Sequence, residues 1–290
     1  MSLSYARSKF IKNIAMYAIL GVIAVIFLVP FLWALVTSLK QAGQVFTATP
    51  QWIPTPPTLE VYKNVLNPRG AVTAQGYYID PFGLYLFNSF VVALGATAGN
   101  LVIGSLAAYA FARLKFPGRD ILFALAMGSL LIPIVGVIIP RFIIVRSLGW
   151  IDTYQGLIGP YIAGCASTFL LRQYFLSIPM EMEESAKIDG ASTWQRYWYV
   201  ILPNAVPALL TVFIFVFVFT WNLFIWPLIV VTSKEMRVVT IGLVYMRGTI
   251  FTDYRILMCG AVLSALPAIV FFVFLQRYYL RGITITGLKL

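Results

Sequence analysis

The sequence contains no histidine, two cysteines and only ten acidic residues among 290. Without imidazole it lacks the side chain that most often serves as a general base near neutral pH and most often binds a metal. Cys165 and Cys259 lie far apart in apolar stretches, where a free thiol behaves as a small hydrophobe. Two thiols so placed supply neither a disulfide framework nor a zinc-ligand spacing. Charged residues make up 11% of the chain, well below the roughly 25% of an ordinary soluble domain. All ten acids (Glu60, Asp80, Asp120, Asp152, Glu181, Glu183, Glu184, Asp189, Glu235 and Asp253) fall between apolar stretches or at their ends. A carboxylate inside the membrane is functional by default, so its absence argues against proton symport or a pump subunit and leaves sodium coupling through carbonyls open. No Gly-Lys pair occurs anywhere. A G-x-x-x-x-G-K-[ST] phosphate cradle is therefore missing, and the chain cannot hold ATP in that way.

What the sequence has is apolar length. Hydrophobic residues make up 60% of it, with mean hydropathy +0.87, so lipid must solvate much of the surface. Six stretches, 14–37, 84–112, 120–145, 155–176, 205–231 and 256–276, approach or exceed the roughly 20 helical residues that cross a hydrocarbon core. The predicted fold is an all-α integral membrane protein with six transmembrane helices in a single domain. Arg7, Lys9 and Lys12 precede the first stretch, as in a signal peptide. Its length and the lack of a small-x-small site read instead as a retained helix. The net charge of +11 is scattered beside apolar segments, which suits membrane flanks and not nucleic acid. With the N-terminus inside, 12 of the 21 basic residues face the cytoplasm. The short, acid-poor basic runs at 112–119 and at the two ends carry the bias, and both termini are read as cytoplasmic. An outer loop over 40–83, rich in Pro, Gly, Thr and Gln, is expected to hold one short helix from Thr58 to Leu66, with Thr58 as N-cap.

The most polar inner stretch is "SIPMEMEESAKIDGASTWQRYWYVILPNAVPAL", within a cytoplasmic loop 177–204 that leads into the fifth span. It reads as two short helices. The first starts at Ser177 or Ile178, with Pro179 in its opening turn and Glu181, Glu183 and Glu184 at its positive end. Gly190 ends it, and Ser192 with Gln195 forms a capping box for the second. Trp194, Tyr197, Trp198 and Ile201 recur at helical spacing as one aromatic face, read as meeting the chain's own spans. Residue physics alone leaves two readings: an interfacial helix pair on the headgroups, or a helix that enters a groove on a soluble partner. The three clustered acids would be repelled by an anionic leaflet.

The order "EESAKIDGAS…ILPNAVP" resembles the EAA-loop signature of ABC importer permeases, through Glu184, Ala186, Asp189, Gly190, Ala191, Leu202 and Pro203. Ser185 stands where the family usually has alanine. The segments "NSFVVALGATAGNLVIGSLAAYAFARLKFPGR", "RSLGWIDTYQGLIGPY", "TWNLFIWPLIV" and "QRYYLRGITITGLKL" look like carbohydrate-uptake permeases, in particular MalG-like subunits, the second permease of maltose-type importers. The resemblance implies a MetI-like permease core over 84–277, with an N-terminal helix 14–37 before it and a tail 278–290 after it. It implies a coupling helix in which Glu183, Glu184, Ser185, Ala186, Asp189 and Gly190 meet a separate ATPase. It also implies a second, non-identical permease, two ATPase subunits that bind the ATP and magnesium, an extracytoplasmic solute-binding protein, and no cofactor or catalytic site in this chain. The runner-up is a secondary transporter or flippase working without an ATPase.

Five residues are candidates for the substrate path. Asn222 and Asn88 are amides in apolar helices, which either bond another helix or meet sugar hydroxyls. Trp221 offers a stacking face or an interfacial anchor, and Trp226 does the same. Arg141 stands at the outer end of the third span, where it either snorkels outward or faces a wet cavity. Pro133 and Pro227 are expected to kink their helices.

Overall fold

The computed structural model describes residues 2–47, 49, 51–72, 78–247 and 253–286, with side chains given within those ranges for residues 10 and 12–274. The chain forms two compact units, residues 1–82 with 243–265 and residues 83–242 with 266–290.

In the first unit the apolar run that follows Lys12 lies within α1 (Ser2–Ser38), with Pro30 inside it. Its most apolar 18-residue window lies in Lys12–Ser38 and has no buried residue. A helix apolar on every side and bare of protein must be solvated by lipid or by a partner. Its end is held by the following loop. The Ser38 hydroxyl shares a 2.7 Å hydrogen bond with the Tyr62 hydroxyl, and the Lys40 ammonium lies 4.4 Å from the centre of the Trp33 ring. Tyr62 belongs to α2 (Glu60–Val65), whose N-cap is Leu59 and not Thr58. The Thr58 hydroxyl accepts from the Glu60 amide at 3.2 Å, a turn that precedes the helix instead of capping it. Strands β1 (Ala71–Val72) and β2 (Tyr78–Ile79) pair antiparallel.

In the second unit one helix organises the others. Helix α3 (Phe82–Arg113) runs 32 residues without a break. Glycines at 95 and 99 let another segment approach its backbone. A Cβ at Gly99 would lie 2.7 Å from Ile162 Cβ and 2.8 Å from the Ile162 carbonyl oxygen, and one at Gly95 would lie 2.8 Å from Ile158 Cδ1. Small residues permit such contacts between membrane helices.

Three of the expected spans are interrupted. Helix α4 (Arg119–Gly128) passes through 3-10 turns at Ser129–Leu131 and Ile134–Val137 into α5 (Ile138–Ser147), bent by 100° overall. Pro133 causes the break: it has no amide to donate, and it pushes Ile132 out of helical geometry, to ψ 119°. Helix α6 (Tyr154–Ile158), a 3-10 turn at Gly159–Tyr161 and α7 (Cys165–Ser177) divide the stretch 155–176. Next come α8 (Glu181–Ile188), α9 (Thr193–Arg196), a π-turn at Tyr197–Ile201, α10 (Leu202–Asn204) and α11 (Val206–Trp221). The run 193–204 meets α11 at 76°, with prolines 203 and 207 in the first turns of α10 and α11. After Trp221 the chain leaves helical geometry before α12 (Ile225–Val230), so Pro227 lies inside a short helix and not at a kink. Helices α13 (Val239–Met246) and α14 (Tyr254–Thr286) complete the chain. Among the described residues three helices are long and apolar enough to cross a membrane, or five if each bent pair is one span.

Asp152 pins a turn of the second unit. Its backbone is left-handed (φ 59°), its amide donates to the Val230 carbonyl at 3.0 Å, and its carboxylate accepts from the Thr232 and Ser233 amides at 2.9 and 3.0 Å. Burial opposes the charge, but the groups of Ser233 and Thr232 outweigh it and hold the carboxyl below the usual carboxylate range. A depressed folded-state pKa stabilises only while the group is charged. Protection of the Thr232 and Ser233 amides from hydrogen exchange is therefore expected to hold above about pH 4 and to fall as the pH drops through the lowered value. In Asp152→Asn the same measurement should show no acid transition. For the glycine contact, Gly99→Ala is expected to lower the melting temperature of the detergent-purified protein, by about 1–3 kcal/mol of overpacking. Gly104→Ala, whose Cβ would meet Ser167 at an ordinary 3.7 Å, should be tolerated.

Candidate functional site

Helix α8 begins at Glu181, later than the sequence suggests, because Pro179 forces Ile178 into extended geometry (ψ 129°). Glu181, Glu183 and Glu184 occupy its first turn, where the helix dipole favours negative charge. Its end is a Schellman motif. Gly190, at φ 85°, donates its amide to the Lys187 carbonyl at 3.1 Å, and Ala191 donates to Ala186 at 2.9 Å. The capping box of α9 is present in both directions: Ser192 Oγ accepts from the Gln195 amide, and Gln195 Oε1 accepts from the Ser192 amide.

The two faces of α8 differ sharply. Glu183 is 4% exposed, whereas Glu181, Glu184, Ser185, Asp189 and Gly190 are exposed and Ala186 is half-buried. Ile188, an apolar residue, is 87% exposed. Ser185 satisfies its hydroxyl locally on the Glu181 carbonyl at 2.7 Å, so replacing the usual alanine leaves no polar group wanting.

The buried face is held by α3. The Arg113 Nε lies 2.8 Å from Glu183 Oε1, but its N–H is not aimed at that oxygen, so the contact is a charge pair and not a directed hydrogen bond. The Tyr109 hydroxyl donates to Glu183 Oε2 at 3.1 Å. A terminal Arg113 nitrogen donates to the Phe175 and Ile178 carbonyls at 2.7 and 2.6 Å, at the end of α7. About two turns earlier on α3, Ser105 Oγ and the Tyr197 hydroxyl lie 2.7 Å apart. Ser105, Tyr109 and Arg113 recur every four residues and so share one face of α3. That ladder is the part of the site that sequence reading missed. Three polar residues at this spacing in a very apolar helix were its available signal.

The aromatic face divides. Tyr197 and Ile201 are buried, and Tyr197 packs against Tyr109 with ring centres 5.3 Å apart. Trp194 and Trp198 are 57% and 49% exposed, so the face meets the chain's own helices only in part. The π-turn at 197–201 accounts for the split, since its wider turn breaks the spacing that would have aligned all four.

The five path candidates do not converge. Asn88 is fully buried; it donates to the Glu235 and Arg237 carbonyls at 2.7 and 2.8 Å and accepts from the Tyr154 hydroxyl at 2.6 Å. Trp221 is buried and stacked on Phe217 at 5.8 Å. Trp226 is buried too, and its Nε1 donates to the Gly156 carbonyl at 3.0 Å. Asn222 is exposed at the end of α11 and bonds back to the Val218 carbonyl at 2.7 Å. Arg141 borders a cavity of about 530 Å3 that also meets Tyr161, Cys165, Val212, Phe219 and Thr220.

Residues 100–285 match the family of binding-protein-dependent transport system inner membrane components. This chain belongs to that family. The match takes in α8, the Arg113 anchor and the cavity. Over 267 residues the chain is 32% identical to the sn-glycerol-3-phosphate transport system permease protein UgpE of Yersinia pestis bv. Antiqua, covering 91% of this chain and 92% of that one. Over 205 residues it is 35% identical to the arabinooligosaccharides transport system permease protein AraQ of Bacillus subtilis, covering 71% and 73%. The fold is that of a crystal structure of a bacterial ABC transporter involved in import of the acidic polysaccharide alginate: TM-score 0.78, 23% identity, 94% of this chain and 98% of that one. The MetI-like permease fold expected from the sequence is the fold observed.

Within this permease the two glutamates should separate cleanly. Removing one partner of a buried pair costs about 3–5 kcal/mol, so Arg113→Ala and Glu183→Ala are each expected to lower the melting temperature in detergent. The double variant should lose less than the sum of the two. Glu184→Ala, on the exposed face, should melt with the wild type.

Proposed function

We propose that this chain is one of two non-identical permease subunits of an ATP-driven importer for a carbohydrate or related polyol. The observation that carries the reading is a short helix capped at its end, locked along one face through Glu183 and presenting Glu184, Ser185 and Ile188 on the other. A free-standing isoleucine beside a carboxylate on a rigid helix suits insertion into a partner's groove. The partner in this reading is an ATPase pair, which binds the ATP and magnesium that this chain has no motif to hold. The chain would span the inner membrane six times with both termini in the cytoplasm. Outer loops 40–83 and 232–255 would contact a solute-binding protein, and the tail after Arg277 would make a second ATPase contact. Closure of the ATPases would move α8 and turn the central cavity outward. Glu183, Glu184, Ser185, Ala186, Asp189 and Gly190 are the proposed coupling residues, and the proposed substrate path includes Arg141 and Asn222. The glycerol phosphate and arabinooligosaccharide systems of its relatives and the alginate importer of like fold all handle polyhydroxylated compounds, which supports that substrate class.

The test is purification of the tagged chain from its native membrane. An ATPase subunit is expected to co-purify, and Glu184→Lys to release it and stop uptake while the melting temperature stays unchanged. Uptake that survives Glu184→Lys, in a preparation containing no ATPase, would overturn the reading.

A further inference from the structure

Arg141 has a setting unlike the other cations bound in the second unit. Arg113 is matched by Glu183 and two carbonyls, and Arg172, 4.1 Å from the Phe123 ring centre, also donates to the Phe111 carbonyl. Arg141 faces no carboxylate among the described residues. Its guanidinium instead lies 5.2 Å from the Tyr161 ring centre and 5.8 Å from that of Trp226. Two ring faces soften the charge and fix its direction, but they do not neutralise it. The cavity it borders is walled mainly by apolar side chains, among them Val212, Phe215 and Phe219. In such a low-dielectric hollow an unmatched cation acts strongly on whatever enters.

We infer that this cavity is an anion-selective station on the substrate path, in which Arg141 receives the carboxylate or phosphate of a polyhydroxylated substrate. The inference rests on the permease reading and narrows it, from carbohydrates at large to acidic ones. An arginine suits either group, because its planar fork pairs two oxygens at once. The apolar and aromatic walls suit the C–H faces of a sugar or glycerol backbone. A carboxylate from the second permease could occupy the same place, and it would leave the cavity without charge preference in the assembled complex.

Cys165 supplies a reporter inside the cavity. It lines the wall, its sulfur lies 3.3 Å from Ser129 Oγ, and the other cysteine, Cys259, is fully buried. In the assembled complex, with Cys259→Ala as background, Cys165 is treated with an anionic (ethylsulfonate) or a cationic (ethyltrimethylammonium) methanethiosulfonate. Modification is read by mass spectrometry of the Cys165 peptide. Any change in thiolate fraction alters both rates alike, so their ratio isolates the local field. The anionic reagent is expected to react about tenfold faster, and Arg141→Gln to bring the ratio to one, whereas Arg141→Lys retains a preference. Glycerol phosphate or a uronate trisaccharide should protect Cys165 in the wild type, and which of them does identifies phosphate or carboxylate as the group received. A neutral trisaccharide should not protect it. Equal rates in the wild type, or equal protection by the neutral sugar with and without Arg141, would overturn the inference. Because the complex used already contains the ATPase, that result would leave the permease reading standing.

Discussion

A guanidinium buried at the end of an apolar helix must find acceptors, because an unmatched charge there costs more than any packing around it returns. Arg113 finds them in the Glu183 carboxylate and in the carbonyls of Phe175 and Ile178. Those groups can all be in reach only if α7 ends beside the end of α3 and α8 departs from that point with the Glu183 side of its first turn facing inward. The requirement fixes the helix that carries the exposed glutamate. It also explains why two adjacent carboxylates have opposite settings, one buried and one exposed. Glu183 holds the helix in place, and Glu184, about 100° round the axis, is left exposed.

The helix breaks follow from the same need to satisfy backbone groups. Irregular backbone at membrane depth is tolerated where it is buried in protein or lines a cavity. The interruptions near Pro133 and Gly164 border the cavity at Arg141, which includes Ile134, Ala163 and Gly164 in its wall. Asn100 of α3 donates to the Tyr161 carbonyl, an acceptor left over by the 3-10 turn before the second break. The glycines of α3 bring that broken segment close enough for the bond to form. One unbroken helix thus supplies both the close approach and the polar group that make an interrupted neighbour affordable.

What could be read from the sequence was local, and what could not depended on contacts distant in the chain. Gly190 and the Ser192–Gln195 pair announced their caps because a cap is settled within about four residues. The apolar extent of α1, α3 and α14 was equally plain. Hydropathy overstated continuity at 120–145 and 155–176, because it weighs side chains while Pro133 and the extended Gly164 act through the backbone. Burial of Glu183 could not be read locally, since its partners Tyr109 and Arg113 lie more than 60 residues earlier. Asn88 and Trp221 looked like path residues by composition, but both sit in the packed interior. An amide or indole in an apolar helix has the same sequence signature whether it faces a cavity or another helix.

The anchor also determines where displacement of α8 would go. Toward α11, the chain passes a π-turn and a 76° bend at Ala205, both of which can absorb a small rotation. Toward α3, the link is a charge pair at 2.8 Å and a hydrogen bond at 3.1 Å between side chains that are largely buried. Such a contact resists stretching over a few tenths of an ångström, because both the Coulomb energy and the hydrogen bond change steeply at that range. A push on Glu184 or Ile188 would therefore reach α3 before it reached α11. Helix α3 runs unbroken from that anchor to Asn88 and Ser89, which hold the segment 235–239. The 25 residue steps from Asn88 to Arg113 rise roughly 38 Å, so motion entering at Arg113 would reach the segment 235–239 without passing through any of the broken helices.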